Sequence, residues 1–227
     1  MTVGKRTGRL LCLAALLSCL AGVPPPASAE VVTRLASPGN TVALTFDACE
    51  TVTPSYFDET ILSYLLHERI PFTVFVGGKF ARRNSARLAE LAVFDFVAIG
   101  NHSMNHPLHM ERLDDAGVAR EIQDAEHAIR DSTGRTTRLF RFPGGHYDAR
   151  SLKIAEGLGY RVVHWSFAAG ASRKDLTPEE LTSWVLSETK PGSILIFHVN
   201  GRGYATVKAL PRIVDALRKK HVTFVLP

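Results

Sequence analysis

The sequence predicts an α/β protein, a distorted seven-stranded (β/α) barrel related to the TIM barrel, and three observations carry that expectation. From residue 41 onward, short β-branched or apolar runs alternate with longer amphipathic segments. Parallel strands need long crossovers, and the intervening segments have helical length. Chemically capable residues stand where the strand-like runs stop: Asp47, His102 and His106, Arg141, Trp165 and His198. Five strand ends meet at one mouth if the sheet curls, whereas an open doubly wound sheet, the alternative, spreads them along an edge.

The 227 residues begin with a stretch outside that alternation. Lys5, Arg6 and Arg9 precede an apolar run from Leu10 to Val23, prolines stand at 24–26, and Ala27-Ser28-Ala29 supplies small residues for a signal peptidase. We expect a signal peptide over 1–29, cleavage after Ala29, and one domain over 30–227 that is exported to the periplasm or secreted. The run is shorter than the roughly 20 residues of a spanning helix, so no stable membrane span is expected in the mature chain. Lipid attachment at Cys19 is a minor alternative. Loss of the leader lowers the formal charge from +5 to 5 − 3 = +2. Cys12 and Cys19 leave with it, and Cys49 has no partner for a disulfide. No basic run interleaved with aromatics points to nucleic acid.

Strands are expected at 41–46 (TVALTF), 72–76 (FTVFV), 96–99 (FVAI), 137–141 (TRLFR), 160–165 (YRVVHW), 193–198 (SILIFH) and 222–226 (VTFVL). The helices expected between them are 54–69, opened by Thr53-Pro54; 79–92; 114–131; 148–158, closed by Gly159; 178–189, opened by Thr177-Pro178; and 205–220. No repeat or Ser/Gly linker interrupts the series.

GNHSMNHP (100–107) spaces two imidazoles four residues apart, so one helical turn aims both at one cation, before Pro107 ends the turn. A pair of hydrogen-bonded loop histidines is the competing reading. RFPGGHYD (141–148) sets an arginine before a Pro-Gly-Gly turn that lets a ligand approach the backbone; an ordinary loop with a surface arginine is the alternative. His198 ends an apolar strand, placed either to act as an acid or to sit satisfied in the core.

Together, TFD at 45–47, HSMNH at 102–106, RFPGG at 141–145, the Trp165 region and LIFH at 195–198 resemble the polysaccharide deacetylases, the NodB-homology domain of carbohydrate esterase family four. The resemblance spans about 41–226. It implies Asp47 as catalytic base, His102 and His106 as ligands of a divalent metal, usually zinc, and Arg141 as the residue that orients the base. It further implies His198 as the acid that protonates the leaving amine, Ser103 as a brace of the ligand loop, and Trp165 as a wall beside the site. Trp165, Tyr147 and Phe167 offer surfaces for a sugar, although core packing is the better reading for Phe167.

Two departures stand out. The family's first motif carries a second aspartate as metal ligand, and here that place is Ala48. Three arrangements are open: Glu50 or Cys49 replaces the ligand, Asp47 is drawn to the metal, or two histidines and waters hold the ion weakly. Glu50 is the first choice because carboxylate oxygen suits a hard or borderline cation. The second departure is WSFAAGAS (165–172), which lacks the acid that orients the arginine in relatives. The expected function is a metal-dependent hydrolase that removes N-acetyl groups from an amino-sugar polymer, peptidoglycan or a chitin-like glycan, with O-acetyl ester hydrolysis open to the same machinery. The alternative is a non-catalytic glycan-binding protein with a degraded metal site.

Overall fold

The computed structural model describes residues 1–2, 30–36 and 39–227. Apart from Met1 and Thr2, the expected leader and the lipid-attachment alternative at Cys19 lie outside the described residues. Among the described residues no helix is long and apolar enough to cross a membrane.

Among the described residues seven strands form: β1 (Thr41–Ala48), β2 (Phe72–Val76), β3 (Val97–Asn101), β4 (Leu139–Phe140), β5 (Arg161–Val162), β6 (Ile194–His198) and β7 (Thr223–Phe224). All pair in parallel, in the order β5-β4-β3-β2-β1-β6, with β7 beside the start of β1. Each strand through β5 is added to the side of its predecessor, and β6 returns to the other side of β1. That is the succession of a curling sheet, so the barrel expectation holds over the open one.

Between β5 and β6 the gap is crossed by residues 32–35, a stretch the sequence pattern left without a role. Val32 N–H donates to Val162 O at 2.9 Å, His164 N–H donates to Val32 O at 2.9 Å, and Leu35 N–H donates to Gly192 O at 2.9 Å. Ser166 Oγ donates to Thr33 O at 2.6 Å and accepts the Ile194 N–H at 2.9 Å. Inside the curl, Ala43, Phe75, Val163 and Ile194 pack with Val32, Leu35 and Leu139.

Among the described residues seven α-helices cover the outside: α1 (Glu59–His67), α2 (Gly78–Arg83), α3 (Ser85–Ala92), α4 (Asp115–Thr133), α5 (Ala149–Gly157), α6 (Pro178–Glu188) and α7 (Thr206–Lys219). Two differ from expectation. Thr53-Pro54 does not open α1; Asp58 does, its carboxylate accepting the Thr60 and Ile61 N–H groups. The preceding loop is held elsewhere, with Ser55 Oγ on Asn200 O at 2.7 Å and Asn84 Nδ2 on Ser55 O at 3.0 Å. The helix expected at 79–92 breaks at Asn84, whose amide also donates to Phe80 O at 2.9 Å and so offers that carbonyl a partner outside the helical ladder. Thr177-Pro178 opens α6 as expected, through a capping box with Glu180.

Candidate active site

Strand register brings the first two groups together, because Asp47 at the end of β1 lies directly opposite His198 at the end of β6. Asp47 is 5% exposed and Arg141, just beyond β4, is wholly buried. Their ion pair closes at 2.7 Å, from Arg141 Nη1 to Asp47 Oδ1. Burial opposes ionisation of Asp47, but Arg141, helped by His102 and His198, overrides it and holds the carboxyl at about 2.

The missing acid after β5 does not leave Arg141 loose. Its Nε donates to Val163 O at 3.1 Å, and Nη2 donates to Thr45 Oγ1 at 2.8 Å and to His164 O at 2.9 Å. Two carbonyls and a hydroxyl thus take three of the four N–H donors that Asp47 leaves over. The guanidinium also lies 4.0 Å over the Phe75 ring and 5.5 Å from Trp165.

The two loop histidines meet without the expected helical turn. Residues 102–106 are non-helical, and Ser103 (φ 64°) and His106 (φ 56°) adopt the left-handed region that such residues rarely enter. The bend survives because it is pinned: Asn101 Oδ1 accepts the Ser103 N–H at 2.9 Å, and Ser103 Oγ accepts the His106 N–H at 3.1 Å. The rings come to rest 4.9 Å apart.

His102 is 1% exposed, and its Nδ1–H donates to Arg141 O at 2.8 Å. This fixes the tautomer with the lone pair on Nε2, which is buried with no hydrogen-bond partner among the described residues and lies 3.5 Å from Asp47 Oδ2. An unpartnered imidazole lone pair beside a second imidazole and a carboxylate suits a divalent cation. Burial, aided by the neighbouring ring, drives His106 down to about 3, and burial also lowers His102, so both are neutral bases at pH 7.

A third ligand is not assembled. Among the described residues no group of three or more His, Cys, Asp or Glu side chains is arranged to hold a metal. Glu50, the first choice, forms an ion pair with Arg83 (Nη2 to Oε1, 2.9 Å) and accepts the Ser55 N–H at 3.3 Å. It faces a separate hollow with Lys79, Arg82 and Asn105. Cys49 is buried, its thiol pushed up to about 11 by burial and by Asp47, which disfavours the thiolate a metal requires. Ala48 is fully buried among apolar core residues.

Asp47, His106, His198 and Trp165 line one cleft of about 270 Å³, with Gly144, Ile196, Arg202 and the small residues 168–172. His198 Nδ1 is buried with no hydrogen-bond partner among the described residues. Gly145 earns its place through Trp165: a Cβ there would stand 2.8 Å from the indole, so the Gly pair serves ring packing as well as the cleft edge. Tyr147 is not among the cleft-lining residues; it is 41% exposed, stacks on Phe142 and meets His164 edge-on. Phe167 packs against the core. The sequence pattern gives no sign of Thr45, Phe75 and His164 as supports of Arg141. The TFD motif contains Thr45, but only the tertiary structure shows its hydroxyl meeting Arg141.

Residues 34–163 match the family model described as polysaccharide deacetylase. The chain belongs to that family. A chitooligosaccharide deacetylase of Sinorhizobium fredii is 30% identical over 171 residues, covering 74% of this chain and 76% of that protein. A peptidoglycan-N-acetylglucosamine deacetylase of Bacillus cereus is 27% identical over 186 residues, covering 81% of this chain. The chain spans 66% of the length of that protein. Among solved structures, a carbohydrate esterase family 4 pseudoenzyme from Bacillus anthracis superposes with a TM-score of 0.77 at 22% identity, covering 88% of this chain and 68% of its own, a likeness of fold.

Proposed function

We propose that the chain is an exported, metal-dependent deacetylase that removes N-acetyl groups from an amino-sugar polymer, with peptidoglycan the first choice and chitin-like glycans the next. The observation that carries this reading is the buried Asp47–Arg141 pair, which presents an ionised carboxylate to a cleft shared with His106 and His198. Residues 1–29 are read as the cleaved leader and 30–227 as the catalytic domain.

His102 and His106 are the residues that would hold the cation, zinc by family resemblance. When bound, the cation supplies Lewis acidity toward the acetyl carbonyl and brings the pKa of water at the site toward ~7. Asp47 accepts a proton from the attacking water through its outer oxygen, while Arg141 keeps the carboxylate ionised and fixed in direction. Water oxygen adds to the acetyl carbon, the carbon–nitrogen bond breaks, and His198 hands a proton to the departing amine. Burial weakens the hold of His198 on that proton and Asp47 strengthens it, a balance that suits a donor. Trp165 gives the sugar a flat wall.

Ala48 favours a second reading, a glycan-binding protein without turnover, since the residue that replaces the second aspartate is apolar and buried and Glu50 is engaged with Arg83. Incubating the mature protein with N-acetylated amino-sugar oligomers, with and without zinc or cobalt, and measuring released acetate separates the two. Release that is abolished by chelator and by Asp47→Asn supports the deacetylase; sugar binding with no acetate from any substrate supports the binding protein.

A further inference from the structure

Asp47 contributes the only carboxylate among the residues lining the cleft, and Arg141 already neutralises it. The other permanently charged side chain lining the cleft is the guanidinium of Arg202. Among the described residues no carboxylate forms an ion pair with Arg202. Its side chain lies against the Cys49 thiol, a neutral group, and the residue is exposed. A negative partner for Arg202 within the cleft must therefore arrive with the ligand.

The turn that carries Arg202 is built. Gly201 adopts φ +77°, and a Cβ on Gly203 would stand 2.5 Å from the His198 carbonyl oxygen, so the turn sits directly on the end of β6. Asn200, 3% exposed, donates from Nδ2 to Cys49 O at 2.6 Å, its own carbonyl accepts from Ser55 Oγ at 2.7 Å, and Val199 N–H donates to Asp47 O at 3.2 Å. Arg202 thus rides on backbone tied to the proposed base and the proposed acid.

We propose that Arg202 receives a carboxylate carried by the sugar whose acetamido group enters the cleft, or by its neighbour, so that the chain prefers acidic N-acetylated amino sugars to neutral ones. Sugars bearing a lactyl ether, or linked to a uronic acid, have the required chemistry; a fork of guanidinium donors matches a carboxylate in shape and charge. The inference rests on the deacetylase reading and adds the substrate class.

The test uses two oligosaccharides that differ only in a carboxylate reduced to an alcohol. Binding to the mature chain is measured by calorimetry, and acetate release by kcat and KM, for the native protein, Arg202→Ala and Arg202→Lys. The native protein is expected to bind the acidic form about tenfold more tightly, the scale of one charge-assisted contact. That preference falls below about twofold in Arg202→Ala, returns in part in Arg202→Lys, shrinks with salt, and appears in KM rather than kcat. Equal binding of the two oligosaccharides by the native protein, or a preference untouched in Arg202→Ala, overturns the proposal. A preference in binding with no acetate from either form sinks the deacetylase reading and leaves the carboxylate site standing; acetate released equally from both forms does the reverse.

Discussion

The Arg141 guanidinium lies 4.0 Å over the ring of Phe75, on the inner face of the curled sheet. Gly100 on the neighbouring strand leaves room for that ring: a Cβ there would come within 2.5 Å of Phe75 Cδ1. The placement of the proposed base therefore depends on a glycine two strands away. Gly100→Ala is expected to cost about 1–3 kcal/mol, as overpacking does. It should lower kcat more than KM, because the displaced ring shifts Arg141 and with it Asp47. Urea unfolding together with steady-state kinetics checks both halves.

Arg141 is wholly buried, so removing it strands Asp47 without a counter-charge. Arg141→Ala is expected to destabilise by about 3–5 kcal/mol, whereas Asp47→Asn, which retains a hydrogen-bond acceptor, should fold and yet release no acetate. Arg141→Lys keeps the charge but cannot reach Val163 O, Thr45, His164 O and Asp47 together, and should remain nearly as damaging. Thermal melts of the three variants order these effects.

Glu50 is held by Arg83, and Cys49 is a buried thiol that resists ionisation. Glu50→Ala and Cys49→Ala are accordingly expected to leave zinc affinity within about threefold of the native value, while His102→Ala or His106→Ala lowers it by at least about tenfold. Equilibrium dialysis against zinc decides the matter. A large loss in Glu50→Ala would show that the Arg83 pair opens to release a ligand.

Histidines buried in neutral form make stability depend on pH. Burial, aided by Arg141, lowers His164 from 6.5 to about 4, and His106 falls to about 3. Between 6.5 and those values the unfolded chain binds protons that the folded chain does not, so this stability is complete above pH 6.5 and is lost as pH falls. Each group adds a slope of up to about 1.4 kcal/mol per pH unit. Asp47, lowered from 3.8 to about 2, acts with the same sign in a lower window, its contribution present above 3.8 and lost toward 2. His164→Gln should flatten the loss between pH 6.5 and 4 in urea titrations; an unchanged slope would refute the assignment.

Ser166 links residue 33 to β6 across the open side of the sheet, through bonds of 2.6 and 2.9 Å. Ser166→Ala is expected to cost about 1 kcal/mol. It should also speed hydrogen exchange at the Val32 and Leu35 amides, which hydrogen-exchange mass spectrometry reports.

Asp47, His102, His106, Arg141, Trp165 and His198 were legible in the sequence because strand ends can be read from apolar runs, and a parallel sheet gathers those ends on one side. The helix caps at Thr177 and Gly159 were legible for a similar reason, since they act over a few neighbouring residues. Interactions between distant segments left no such trace. The ties of Arg141 to Val163 O, His164 O and Thr45 span 22, 23 and 96 residues, and two of the three acceptors are backbone carbonyls, which every residue possesses. The tie of Asn84 to Ser55 O, the capture of Glu50 by Arg83 and the closure of the sheet by residues 32–35 belong to the same class, whereas the left-handed bend that joins His102 to His106 is held by close neighbours, Asn101 and Ser103, through polar contacts that hydrophobic periodicity does not register. Local pattern determined which elements form and which side chains reach the mouth of the barrel. Only tertiary structure decided how those side chains are held, because their partners are chosen by packing across the sheet rather than by proximity along the chain.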